Sequence, residues 1–592
     1  MSILILIRKE VGFWLLCQVF MAKINFFALG GVQENGKNLY VVEINDRLYI
    51  LDCGLKYPTS ELYGVDVIVN DISYLEENAS RIEGIFLSHA HDDHIGGVSH
   101  IIKNHDIKVY GSRFTLAVLR EKLAEDEVVP KEDLLVTITS RGSLSFDNDR
   151  VVIRFFEVSH NIPECFGIAI KTEDGYLIYT SNYNFDQNSK IDYSHMFRSL
   201  AVFAKEGVLA LFTESLGANN EQSRGTILEF KLRITNLINQ TKKRIIFSLF
   251  SSDILRIQQI CNIAIEHGKK IAIIGRKTQK IVNQAINLGY LTIPEENFAN
   301  LRYIDDKNKN DDDDLVVLVT GERHEPYFML QRMARGVDRL IRMEASDTVV
   351  VLTNPYLGTE KMAARTLDII YHVTSNVKTF NQNLLPEPNA NREEIKEMIN
   401  ILKPKYVVPV IGEYRHQYAL RIVANCIGYT DDRILLIDNG DIITFEKGKY
   451  VGITGDVPCA EVLIDGKAFK DVGDVVMRDR ELLADDGVIL VSANINPRTK
   501  TIIIGPEIVT KGFSFSMDND EINNKIKQTF YLVSSKYLIS KFINWSEFKT
   551  ALKNEISHLI YKEMKRSPII IPVLISTDID ALKKTIVATK QE

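Results

Sequence analysis

Cysteine is scarce and scattered in this chain. The six, Cys17, Cys53, Cys165, Cys261, Cys426 and Cys459, form no CxxC pair. That argues against a thiolate zinc site and a disulfide framework, and it suits a reducing, cytoplasmic setting. No uncharged apolar run reaches the ~20 residues needed to span a bilayer, so no membrane partner is expected. The nearest run, "MSILILIRKEVGFWLLCQVF", is interrupted by Arg8, Lys9 and Glu10. It also lacks the leading charges and small cleavage-site residues of a signal peptide. Residues 1–20 read as an extension upstream of a natural opening strand, "MAKINFFALGG", that starts at Met21; a membrane-associating tail is the alternative. A basic excess is missing too. The net charge is -7, so any nucleic-acid contact must come from a local patch and not from the overall field. No repeat of fixed period is visible.

What remains is ordinary for a globular protein, and 592 residues call for several domains. From Lys23 to Leu51 the pattern is β, with β-branched and aromatic residues between Gly and Asn-Asp breaks. "RIEGIFLSH" is a short apolar strand, and further strands follow at "DIKVYGS", "RVVIRFFEVSH", "FGIAIKT" and "GYLIYTS". From about Val208 to Thr374 strands and helices alternate, which predicts a mostly parallel sheet covered by helices. The charge run Asp305 to Asp314 reads as a solvated loop. "CAEVLIDGKAFKDVG" and "GVILVSANINPRTKTIIIG" read as hairpin-like strands, followed by a long helical stretch and a final strand, "PIIIPVLIS".

The chemistry concentrates in "SHAHDDHIGG", Ser88 to Gly97. His89, His91, Asp93 and His94 follow a buried-type strand directly. Neutral imidazoles and a carboxylate are good zinc ligands. A loop leaving a strand can splay these four so that two serve one metal and two another. Gly96 and Gly97 are expected to let the backbone turn tightly into the next helix.

This motif resembles the signature of the metallo-β-lactamase superfamily. "FFALGGVQENGKNLYVVEINDRLYILDCGLKYP", "VSHNIPECFGIAI", "FSSDILRIQQI", "KPKYVVPVIGEYRH", "GPEIVTKGF" and "KEMKRSPIIIPV" resemble, in order, stretches of ribonuclease J. The resemblance implies an α/β fold: a metallo-β-lactamase αββα sandwich, an inserted β-CASP α/β domain and a small C-terminal α+β domain. The implied boundaries are 21–207 and 375–455 for the two parts of the sandwich, 208–374 for the insertion, 456–480 for a linker and 481–592 for the last domain. The implied activity is 5′-to-3′ exonuclease and endonuclease action on RNA in rRNA processing and mRNA decay, with two zinc ions and a metal-bound hydroxide as nucleophile. The C-terminal domain implies a homodimer, a homotetramer or a hetero-oligomer with a paralogue.

Carried over position by position, the resemblance is incomplete. His160 in "EVSHNIPE" matches a further metal motif, with a core or capping histidine as the alternative. The family's bridging aspartate is Asn182 here, and a later metal histidine is Ile411. Asn389 stands where the family has a phosphate-side histidine. Glu214 matches the acidic β-CASP motif. Ser251 and Ser252 resemble a segment near the nucleotide pocket, or they form a plain helix N-cap. "TGERHEP", Thr320 to Pro326, departs from the family's turn, and no role carries over to Arg323 or His324.

His89, His91 and His160 are therefore expected to hold one zinc well, with Asp93 and His94 as the catalytic pair and a second zinc weak or absent. Losing a metal and a phosphate-side histidine is expected to cost ~10²-fold or more in rate per group. Two readings follow: a zinc-dependent ribonuclease of reduced activity, or a weak or inactive subunit that binds RNA beside an active paralogue.

Overall fold

The computed structural model describes residues 23–577 except 59–61, 63, 132, 149, 186–192, 221–224, 276–278, 300, 302–313, 356–357, 381–384, 387, 467–472 and 513–518. The expected extension at 1–20 and nearly all of the charge run before Asp314 lie outside the described residues. Two compact units divide the chain: residues 1–59 with 66–470, and residues 60–65 with 471–592.

In the first unit, period-two alternation builds a double sheet. Along Lys23–Gly30, Phe26 and Ala28 point to one apolar cluster while Phe27 and Leu29 point to another. The first cluster fills the space between an eight-stranded and a six-stranded sheet, where Phe26 stacks on Phe212 at 4.0 Å. The second lies on the outer faces, under helices such as Arg113–Glu125 and Arg392–Leu402. The result is the αββα sandwich. Each aliphatic or aromatic side chain fully buried in these clusters contributes about 1.5–3 kcal/mol.

The alternating stretch forms a five-stranded sheet, and every strand pair in it is parallel. One correction applies to its start. Val208–Glu214 was expected in the insertion. It instead pairs in parallel with Gly175–Tyr179 and with Tyr406–Val410, inside the six-stranded sheet. A fully buried parallel strand looks alike in either sheet, so its pattern could not separate them. A second correction concerns "CAEVLIDGKAFKDVG". Glu461–Ile464 pairs antiparallel with Val67–Asn70, nearly 400 residues earlier, and residues 467–472 of the expected hairpin lie outside the described residues. The expected linker thus contributes a strand to the first unit.

The second unit has a three-stranded sheet. Val488–Asn496 forms a hairpin with Thr501–Lys511 and runs parallel to Ile569–Ser576. The long helical stretch is two helices, Asn519–Leu538 and Trp545–Met564. Their apolar sides, including Ile522, Phe530, Phe548 and Ile556, pack with Ile489, Val491 and Ile570 of the sheet. No helix among the described residues is long and apolar enough to cross a membrane.

Candidate metal centre

The strand Ile82–Phe86 delivers the chain to Ser88, and a short helix, Asp92–Ile95, starts immediately after His91. Asp52, Cys53 and Gly54 run alongside. Cys53 N donates to the His94 carbonyl at 2.8 Å, and Asn38 N donates to the Asp93 carbonyl at 3.0 Å. Gly54 is glycine because a Cβ there would lie 1.7 Å from the Asp93 carbonyl oxygen. Gly96 and Gly97 have ordinary φ values of -66° and -93°, so they are not needed for a turn conformation. Close approach explains them: added Cβ atoms would sit 2.4 Å from Leu55 Cγ and 2.7 Å from the Gly54 carbonyl oxygen.

Three imidazoles converge. His89 Nε2 lies 3.1 Å from His91 Nδ1, and His160 Nε2 lies 3.3 Å from the same atom. Two nitrogens each about 2.05 Å from a tetrahedral zinc are roughly 3.3 Å apart. The spacing fits a metal.

The outer hydrogen bonds set the tautomers. Ser181 Oγ donates to Ser88 Oγ at 2.8 Å, and Ser88 Oγ donates to Asp52 Oδ2 at 2.8 Å. Ser88 Oγ is then free to accept from His89 Nδ1–H at 3.0 Å, which leaves the Nε2 lone pair for a ligand. His160 Nδ1–H donates to the Pro388 carbonyl at 2.8 Å, with the same effect. Burial, reinforced by the other rings, holds His89 and His160 well below the ordinary imidazole value; burial brings His91 to about 4. All three are neutral near pH 7, as metal ligands must be.

Asp93 and His94 adjoin this trio; the His89 and His94 ring centroids are 4.1 Å apart. His94 Nε2 is 3.4 Å from Asp93 Oδ2, and Nδ1 is 2.7 Å from Asp52 Oδ2. Burial opposes a charge on His94, but Asp93 and Asp52 outweigh it and raise it to about 10. Burial likewise opposes the Asp93 charge, and His94 overcomes it, holding the carboxyl below its ordinary value. The two form an ion pair with each other.

The replaced positions, Asn182, Asn389 and Ile411, carry neither a carboxylate nor an imidazole. Asn182 Nδ2 donates to Glu214 Oε2 at 2.9 Å and to Asn389 Oδ1 at 3.3 Å. Two replaced positions, 207 residues apart, are thus hydrogen-bonded to each other. Glu214 Oε1 accepts from Tyr183 N at 2.8 Å and Ala390 N at 2.9 Å, and burial raises its carboxyl to about 8. Ile411 is fully buried in the cluster between the sheets and offers no donor atom. Its φ is 49°, a conformation that costs a β-branched residue about 1–2 kcal/mol. Its backbone is held by Gly31, which accepts from its N–H at 2.8 Å, and by Ser215, which donates twice to its carbonyl at 3.1 Å.

Ser251 and Ser252 lie outside the cap of the helix Ile254–Glu266. Asp253 is the cap residue, accepting from Arg256 N at 3.2 Å. Ser251 Oγ is buried with no hydrogen-bond partner. Sequence reasoning assigned no role to Asp52, Ser88, Ser181 and Tyr179. Asp52 collects Ser88 N, Ser88 Oγ, His94 Nδ1 and Tyr179 Oη, all at 2.7–2.8 Å. Only its place after a strand in "LYILDCG" hinted at it.

Comparison with known proteins joins these features. Residues 33–168 match the metallo-β-lactamase superfamily, and 242–370 match the ribonuclease J β-CASP domain. Residues 389–425 match a Zn-dependent metallo-hydrolase RNA specificity domain, and 475–577 match the ribonuclease J C-terminal domain. The chain is 34% identical to ribonuclease J2 of Bacillus subtilis (strain 168), covering 93% of this chain and 98% of that protein. The chain belongs to the ribonuclease J family. Other similar relatives are ribonuclease J 2 of Streptococcus pyogenes serotype M3, 33% identical over 94% of this chain and 99% of that one, and of Staphylococcus aureus (strain NCTC 8325), 32% identical over 93% and 98%. The β-lactamase match contains His89, His91, Asp93, His94 and His160. The RNA specificity match contains Asn389 and Ile411, two of the three replaced metal- or phosphate-side residues.

Proposed function

We propose that this ribonuclease J-family chain is an RNA hydrolase of reduced activity that holds one zinc ion through His89 Nε2, His91 Nδ1 and His160 Nε2. The observation that carries the reading is the convergence of three neutral imidazole nitrogens at ligand spacing, with two tautomers set by outer hydrogen bonds. When bound, zinc supplies a Lewis acid that polarises a phosphoryl oxygen and makes a coordinated water acidic near neutral pH.

The chain's own groups do the rest. Asp93 and His94 form the proton-handling pair beside the trio, with Asp52 fixing the ring so that Nε2 faces Asp93. Glu214 is held neutral near pH 7 and anchors the Asn182–Asn389 amides, which meet RNA as uncharged hydrogen-bonding groups. Phosphates are held by Arg and Lys side chains and backbone N–H groups, since the net charge of -7 gives no attraction. Ser251 and Ser252 border the nucleotide site. The chain works in the cytoplasm and self-associates or pairs with a paralogue, in keeping with its C-terminal domain.

A second reading is an RNA-binding partner subunit without turnover. The Asn182–Asn389 contact and the apolar packing of Ile411 favour it, because none of these residues offers a carboxylate or imidazole to a second metal. One experiment separates the two. Bound zinc is measured per chain, and decay of a 5′-monophosphorylated RNA is followed with and without His89→Ala. The enzyme reading predicts one zinc and slow decay that His89→Ala abolishes. Decay that survives His89→Ala refutes it, and no decay in either protein favours the subunit.

A further inference from the structure

The turn "TGERHEP" of the inserted domain carries no assigned role, yet a short relay joins it to the metal loop. The strand Leu315–Gly321 delivers the turn, and the helix Glu325–Ala334 leaves it. Arg323 reaches from there to the sandwich domain. Its guanidinium carbon lies 4.4 Å above the Tyr57 ring centroid, and Nη2 donates to the Pro58 carbonyl at 3.1 Å. Tyr57 Oη donates to Asp92 Oδ2 at 2.6 Å. The other Asp92 oxygen, Oδ1, accepts from Lys122 Nζ at 3.1 Å, on the helix Arg113–Glu125. Both carboxylate oxygens are therefore engaged. The Asp92 carbonyl is also held, by Leu55 N at 3.0 Å and Gly96 N at 2.8 Å. Asp92 stands between His91 and Asp93 in the chain, so holding both carboxylate oxygens and the carbonyl fixes the orientation of its neighbours.

Arg323 occupies this place despite a backbone φ of 44°, where a side chain is strained and glycine is not. Something must offset that strain, and the stack on Tyr57 with the Pro58 hydrogen bond is what the side chain makes. We infer that Arg323 is a positioning residue: through Tyr57 and Asp92 it holds the loop carrying His89 and His91 in ligand geometry, and so raises the zinc affinity of the trio. The inference rests on the single-zinc reading above. It makes metal retention depend on the inserted domain staying seated on the sandwich.

The test is zinc affinity of the full chain, by competition with a chelating dye and zinc alone as probe. Arg323→Gly removes the side chain at a φ that glycine adopts freely, so the backbone there stays intact. Tyr57→Phe keeps the ring for stacking and removes only the hydroxyl. Each substitution is expected to weaken zinc binding about tenfold, the low end of what outer hydrogen-bond partners contribute. The double variant is expected to be no weaker than Tyr57→Phe alone, because both act along one path. Arg323→Lys, which keeps a cation over the ring, is expected to restore most of the affinity. A merely structural role would lower the unfolding temperature and leave the competition curve unmoved. Arg323→Gly within twofold of the parent, or losses that multiply in the double variant, would overturn the relay and leave the zinc reading standing. A parent protein whose zinc binding is absent, or is unchanged by His89→Ala, would overturn both.

Discussion

Asn182→Asp restores the family's carboxylate and is expected to destabilise the protein, more at high pH than at low. Asn182 donates two hydrogen bonds, to Glu214 and Asn389. A carboxylate there faces acceptors where the amide faced them as a donor. At pH 5 the loss is that of buried hydrogen bonds, about 1–2 kcal/mol. Charge then adds to it. Burial raises Glu214 from its ordinary 4.5 to about 8. Its folded value exceeds its unfolded one, so its contribution to stability is complete below pH 4.5 and is lost as pH rises through about 8. A second carboxylate beside it sharpens this loss, because one neutral partner is tolerable and two buried charges without a counterion are not. At pH 9 the deficit relative to the parent should reach about 3–5 kcal/mol. The assay is urea unfolding followed by far-UV circular dichroism, at both pH values with chelator present. Equal deficits at pH 5 and pH 9 would refute the reasoning.

Other substitutions probe the rest of the account. Combining Asn182→Asp with Ile411→His should raise zinc content above one per chain and speed RNA cleavage by ~10²-fold or more, read by metal analysis and single-turnover decay. Asp52→Asn leaves His94 and Tyr179 facing an amide donor; zinc held by the trio should weaken, and stability should fall by about 3 kcal/mol, read by dye competition and urea midpoints. Gly54→Ala forces a Cβ into the Asp93 carbonyl, and the hydrogen exchange of residues 88–97 should rise sharply even where the global fold survives.

Much of this was legible in the sequence, and the reasons differ by feature. His89 and His91 could be read because four ligand-type residues crowd the loop after a strand, and His160 because "EVSHNIPE" resembles a further metal motif of the family. The strands followed from alternation in segments such as "INFFALGG", and the sandwich they build was implied by the family resemblance. The pairing of the strand Glu461–Ile464 did not, because its partner, Val67–Asn70, lies far away in the chain and no turn joins them. Nor did Val208–Glu214, whose apolar run fits either parallel sheet. The Asn182–Asn389 contact was invisible for a similar reason: each residue alone reads as a lost function, and only coordinates show that they satisfy one another. Asp52 and Ser181 were missed because a residue that sets a histidine tautomer needs no fixed spacing from it. The strain at Ile411 is a backbone property that the residue type argues against.

X-ray absorption at the zinc edge on the zinc-loaded chain reads the central arrangement most directly. One ion per chain with three imidazole nitrogens, dropping below three or vanishing in His160→Ala, is the predicted result. A spectrum and stoichiometry unchanged by His160→Ala would contradict it, because residue 160 would then stand outside the coordination sphere.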